Sequence, residues 1–396
     1  MSRLHNFGRR AIFLMPALLA SWCLWSAGSA EGQPAGDKMG TVWSLPWNAG
    51  WVTSVSFVGP NRVAAGNTNG QILVWDLPDK AGAPAPGPAR RLDGHTNTVN
   101  RLLATPDGRW LISASNDHTI RYWDLQASTR GDDTVVLNAH AIEEAAARKN
   151  AKKIAPLTAK VAVQDAARVL DGHRDWVLGL ALSRDGNVLV SGDDKGEVVV
   201  WDRLAGKEVR RWKVKGWAWA LAVSPDARSV LVSERLPLVF DSGRHAGLKL
   251  WDAQTGQMKF DLEKEVAKQM TSAAAFSPDG KLLAVGRGGE VDGQNGKVTL
   301  LDAATGKKVR ELTPGHLNGL TDLCFHPDGK QLFSSGRDTT VRVWNVADGK
   351  LVKELGRPRG GQFKDWIHAV SVSPDGKLVA GADMAGQVHI WALNGK

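Results

Sequence analysis

The chain is 396 residues long, 43% apolar, and carries a formal charge of +9, enough for two ordinary domains or one large repeat-built domain. Its two cysteines are Cys23 and Cys324, so loss of the first thirty residues would leave Cys324 alone and exclude an intramolecular disulfide. Seventeen tryptophans stand against one tyrosine and nine phenylalanines, which implies that tryptophan is demanded at a recurring position.

The first thirty residues contain Arg3, Arg9 and Arg10 and no acid. "MSRLHNFGRR" is a positive start, "AIFLMPALLASWCLW" (11–25) an apolar stretch broken by Pro16, and "SAGSA" supplies small residues before Glu31. This is the anatomy of a signal peptide over 1–30, cut after Ala30, and the stretch is short for a membrane-spanning helix. The expected destination is the periplasm or the outside of the cell. The general secretory route is favoured over the twin-arginine one that "GRRAIFL" imitates. A lipoprotein is disfavoured because Trp22 precedes Cys23, and the remaining chain has no Asn-x-Ser/Thr acceptor. Nucleic acid is a poor partner for an exported chain. The basic runs "RKNAKK" (148–153) and "RRWKVK" (210–215) read as solvated surface or as a face for an anionic partner.

After a linker over 31–40, repeats fill the rest. Seven segments end alike: "GQILVWD" (70–76), "HTIRYWD" (118–124), "GEVVVWD" (196–202), "GLKLWD" (247–252), "GKVTLLD" (296–302), "TTVRVWN" (339–345) and "GQVHIWA" (386–392). Each alternates as a half-buried strand does. Before most of them lies a Pro-Asp-Gly turn, as in "SPDG" (277–280) and "SPDG" (373–376), suited to hairpins. "DGH" (93–95, 171–173) and "PGH" (314–316) precede three repeats.

These residues resemble the WD-repeat family of β-propellers. The resemblance implies an all-β, seven-bladed ring over 41–396, each blade a four-stranded antiparallel sheet. The last repeat stops without an outer strand, so "GTVWSLPW" (40–47) is expected to close the seventh blade. The family's buried hydrogen-bond chain maps onto His95, Ser113, Asp117 and Trp123, and onto His316, Ser334, Asp338 and Trp344. The third repeat has His173, Ser191 and Trp201 but Lys195 where the acid belongs. Ala65, Val232, Val285 and Gly381 take the serine position elsewhere. These histidines and aspartates read as structural.

Two features break the period. Residues 125–166 are an insertion, with "AHAIEEAAARKNAKKIAP" (139–156) a helix expected to hang from the face opposite the "GH" turns. Either 134–138 or 167–170 is the outer strand before the third repeat. Long Gly-rich loops lie at 234–247 and 286–296.

No catalytic, haem, zinc or phosphate-loop pattern is present; no cofactor, metal ligand or catalytic residue is expected. What recurs is aromatic. Trp51, Trp176, Trp217 and Trp366 open inner strands, with Arg174 and Lys364 nearby. They form either wedges between blades or a collar at the mouth of the channel that binds a protein or peptide. The expected function is a non-catalytic scaffold of bacterial type, monomeric by itself, in the cell envelope. The alternative is a propeller that binds a small ligand, or runs a reaction, in its central channel.

Overall fold

A computed structural model describes residues 37–39, 42–47, 50–79, 83–147, 154–235, 247–266, 270–288, 296–356 and 366–393. All fall within the compact unit 36–396. The expected signal segment 1–30, most of both Gly-rich loops, the run 148–153 and Lys364 lie outside the described residues.

Seven sheets form a seven-bladed β-propeller. From inside outward, blade 1 runs Val52–Phe57, Arg62–Asn67, Ile72–Asp76 and Arg90–Asp93. Blades 2 to 6 repeat the order with inner strands Val99–Ala104, Val177–Leu182, Trp217–Val223, Thr271–Phe276 and Leu320–Phe325. Blade 7 takes three strands from the C-terminal end and its outer one, Trp43–Pro46, from the N-terminal side, paired antiparallel with Gln387–Ala392. Trp43, Leu45 and Trp47 are buried in that clasp, and Trp47 meets Trp75 edge-on at 5.8 Å between ring centroids. Phe57 N–H donates to Ser371 Oγ at 3.1 Å, joining the first blade to the last.

The strands alternate because one side of each blade packs on the blade before it. Trp123 of blade 2 sits in a cluster with Ile72 and Val74 of blade 1, and Trp201 of blade 3 with Ile112 and Tyr122 of blade 2. Trp344 and Trp391 repeat the contact on blades 5 and 6. The tryptophan excess is therefore an inter-blade wedge, the largest apolar side chain filling a taper that widens outward. The hairpins are pinned by the turn chemistry. Ser277 Oγ donates to Asp279 Oδ1 at 2.6 Å, which accepts Lys281 N–H at 3.1 Å, and Gly280 takes φ 72°.

The structure departs from the sequence reading in three places. Asp37–Met39, expected as linker, is a strand lying parallel on the outer strand of blade 6. The insertion does not hang from a face. Its hairpin, Gly131–Val136 with Thr158–Asp165, adds two strands to the outer edge of blade 1. Among the described residues the helix between them spans Ala139–Ala147, so Glu143 and Glu144 fall past its first turn. Asn138 fastens its base, donating to Ala155 O at 2.9 Å and accepting Leu157 N–H at 2.7 Å. Of the two segments the sequence left open, Arg168–Leu170 is the outer strand of blade 2, as 167–170 allowed, and 134–136 belongs to the hairpin. Finally, the third polar chain is not short of an acid: Asp193 supplies it, two residues before Lys195.

Candidate partner-binding mouth

The rigid base of the site is the set of polar chains. In blade 2 the Trp123 indole N–H donates to Ser113 Oγ (2.9 Å), Ser113 lies 2.7 Å from His95 Nε2, and His95 Nδ1 lies 2.7 Å from Asp117. Burial lowers the pKa of His95, so the imidazole is neutral at pH 7, and its Nδ1–H donates to the Asp117 carboxylate. Blade 6 repeats this with Trp344, Ser334, His316 and Asp338, each link 2.8 Å long. There burial pushes the Asp338 carboxyl up, but His316 and Arg342 outweigh it and hold it below its usual range. In blade 3, Trp201, Ser191, His173 and Asp193 are joined at 2.7 to 2.8 Å. The histidine-to-acid spacing of 22 residues in blades 2 and 6 becomes 20 in blade 3, because the acid moves onto the end of the second strand. Blades 1, 4 and 7, with Ala65, Val232 and Gly381, leave the indole nitrogens of Trp75, Trp251 and Trp391 without a hydrogen-bond partner among the described residues.

Above these chains each inner strand begins at one level. The carbonyls of Trp51, Thr98, Trp176, Met270, Gly319 and Trp366 accept N–H groups from Thr68, Asn116, Asp194, Gly288, Arg337 and Met384, at 2.9 to 3.2 Å. Trp217 pairs with Arg235 in the equivalent place on blade 4. The four tryptophans are half-buried. Two arginines brace them: Arg337 lies 4.4 Å over Trp366, and Arg235 lies 4.7 Å over Trp219 and 5.7 Å over Trp217. Trp219, Arg235 and Arg337 were not read from the sequence as site residues. "WAW" (217–219) carried the signal, since residues two apart on a strand share a face. Arg235 and Arg337 come from other strands and loops and carried none. Arg174 is exposed beside Trp176.

An acid pair completes this rim. Asp175 and Asp194 flank Lys195, whose Nζ is 3.0 Å from Asp175 and 3.7 Å from Asp194. Burial, then the neighbouring Asp175, pushes the Asp194 carboxyl up to about 6.

Lower in the bore, Arg101 of blade 2 reaches across to Asp322 of blade 6 at 2.8 Å, and Asp322 also accepts Val370 N–H of blade 7 at 3.2 Å. His368 is held neutral by burial, with Nδ1 3.0 Å from Thr53 O. Burial raises the Cys324 thiol far above its ordinary value. Arg101 and Asp322 thus offset each other's charge in the bore. Among the described residues no group of three or more His, Cys, Asp and Glu side chains converges to hold a metal, and no helix is long and apolar enough to cross a membrane.

Residues 87–124, 165–202, 306–345 and 350–392 each match the family description "WD domain, G-beta repeat". They carry blades 2, 3, 6 and 7, three of which hold a complete polar chain, while in blades 1, 4 and 5 alanine or valine replaces the serine. The chain is 26% identical over 324 residues to the small ribosomal subunit protein RACK1 of Drosophila melanogaster, covering 75% of this chain and 94% of that one. It is 27% identical to the cross-pathway control WD-repeat protein 2 of Flammulina velutipes, covering 79% and 99%. To the guanine nucleotide-binding protein subunit beta of Solanum tuberosum it is 25% identical, covering 77% and 83%.

Proposed function

We propose that this WD40 propeller is a non-catalytic scaffold that holds a protein or peptide partner at the mouth lined by Trp51, Trp176, Trp217 and Trp366. The observation that carries this reading is the bracing of half-buried indoles by Arg235 and Arg337. Large rigid aromatics with arginine are the residues from which interface hot spots are built, and stacking settles their rotamers before a partner arrives. Two relatives bear names of parts of larger assemblies, a small ribosomal subunit protein and a subunit of a guanine nucleotide-binding protein, which fits a scaffold. Arg174 supplies charge beside Trp176. The protein works without metal, cofactor or nucleic acid and as a monomer until it meets its partner.

The setting belongs to the same reading. Residues 1–30 direct export by the general secretory route and are removed after Ala30, and the propeller acts in a bacterial periplasm or outside the cell. N-terminal sequencing of the protein from an extracytoplasmic fraction should start at Glu31; a start at Met1 in the cytoplasmic fraction refutes export. For the mouth, partner capture by the full chain is compared with capture by a Trp51/Trp176/Trp217/Trp366→Ala variant of unchanged circular dichroism. Loss of the partner only in the variant supports the mouth, and retention by both removes it.

A further inference from the structure

The mouth leaves the perimeter of the ring unused, and there two of the seven sheets exceed four strands. The outer strand of blade 1 is covered by Thr158–Asp165 and that of blade 6 by Asp37–Met39, both in parallel. The cover of blade 6 is matched in backbone register, and that of blade 1 in charge as well. Asp37 stands opposite Lys353 and Lys38 opposite Glu354. Arg91 pairs with Asp133 of the covering hairpin at 2.9 Å, and Arg90 donates to Gln164 at 3.0 Å. Two outer edges of this ring therefore carry a further parallel strand, and at blade 1 a charge pair joins the edge to its cover.

Blade 3 presents such an edge with no cover among the described residues. Its outer strand, Lys207–Lys213, is seven residues long and ends a four-stranded sheet. Val214 N–H donates inward to Gly196, so strand alternation turns the N–H and C=O of Arg211 and Lys213 outward. Arg211 is engaged by Glu208 at 2.6 Å, whereas Lys213 is 65% exposed and lies 3.7 Å from Glu197. Lys207 and Arg210 are exposed, and Arg210 donates to the Gln254 carbonyl. The nine-residue edge of blade 5 differs: Glu265 accepts its Lys308 N–H, and Glu311 is held by Lys297 and Lys308. Edge lysines also serve to keep sheets apart. That role gives no reason for Leu204 and Val209 to stand 62% and 58% exposed beside them.

We propose that the outer edge of blade 3 is a second docking surface, which takes an extended acidic segment of a partner protein as a fifth, parallel strand. Main-chain bonds to Arg211 and Lys213 hold the segment, Lys207, Arg210 and Lys213 select its charge, and Val209 packs against an apolar residue in it. The basic run 210–215 then has a use besides solubility. This surface is independent of the mouth.

The probe is a labelled ten-residue peptide alternating glutamate with valine and threonine, titrated into the full chain and read by anisotropy and by amide hydrogen exchange. Binding with slowed exchange at Arg211 and Lys213 is expected. A Lys207→Glu/Arg210→Glu/Lys213→Glu variant should bind about tenfold more weakly, three exposed pairs being lost. Lys207→Glu alone gives the same direction if the triple variant folds poorly. The Trp51/Trp176/Trp217/Trp366→Ala variant should bind the peptide as the parent does, which separates this surface from the mouth. No binding at low salt overturns the proposal. So does equal binding of a peptide of the same charge with proline at alternate positions, or protection confined to another strand.

Discussion

Replacing Ser334 by alanine tests the claim that the polar chains stabilise individual blades. Ser334 is fully buried, and its hydroxyl lies 2.8 Å from both the Trp344 indole nitrogen and His316 Nε2. Without it, a buried N–H and a buried imidazole nitrogen lose their partner. A buried polar group left unpaired costs about 1–3 kcal/mol. The indole end falls low in that range, because Trp75, Trp251 and Trp391 occupy the same niche in blades 1, 4 and 7 with no partner among the described residues. His316, 0% exposed and still bound to Asp338, has no water to turn to. The expected loss is about 2–4 kcal/mol, read by urea unfolding, with faster hydrogen exchange concentrated in Gln331–Gly336. Adding Trp344→Phe to Ser334→Ala should cost less than Trp344→Phe does in the parent, since the indole N–H has already lost its acceptor. A loss below about 1 kcal/mol, or strictly additive effects in the double variant, would refute the reasoning.

Asp194→Asn should stabilise the protein at neutral pH. Its carboxyl stands at about 6 in the folded state, above the ordinary value, so its contribution is complete below about pH 4 and is lost as pH rises through 6. The variant should match the parent at pH 4 and exceed it by about 1 kcal/mol at pH 7.5 after allowing for solvent screening, as thermal melts at the two pH values will show. Asp322→Ala leaves Arg101 charged in the bore and frees the Val370 N–H; a loss of about 2–3 kcal/mol is expected in urea, with Arg101→Met milder. Trp47→Ala empties the clasp against Trp75 and should cost about 3–5 kcal/mol, with exchange quickening first in blades 7 and 1. Ala227 holds φ 59° where five other turns have glycine, so Ala227→Gly should raise stability by about 0.5–1 kcal/mol.

Local chemistry made much of the molecule readable. The seven alternating endings with their tryptophans specify strands and the wedge between blades, because period-two burial and the taper of the ring act on every blade alike. The 18- and 10-residue steps among histidine, serine and tryptophan are held in all three complete chains, since strand and turn lengths fix them. The same counting failed at Lys195. Asp193 lies two residues earlier, still within reach of the imidazole, and distance in space rather than in sequence decides which acid binds.

Tertiary structure alone decided what meets across the ring. Arg101 and Asp322 are 221 residues apart and touch only because blades 2 and 6 face each other over the bore. The insertion was visible as an insertion, but its pairing with blade 1 is set by which outer edge lies within reach of the connection after blade 2. Arg235 reaches Trp217 and Trp219, and Arg337 reaches Trp366, through the close approach of second-strand ends to inner-strand starts. The sequence by itself determined the repeat, the blade and the wedge, because those depend on residues a few positions apart. The mouth, the bridged bore and the covered edges were decided by closure of the ring, which brings together side chains that no local pattern relates.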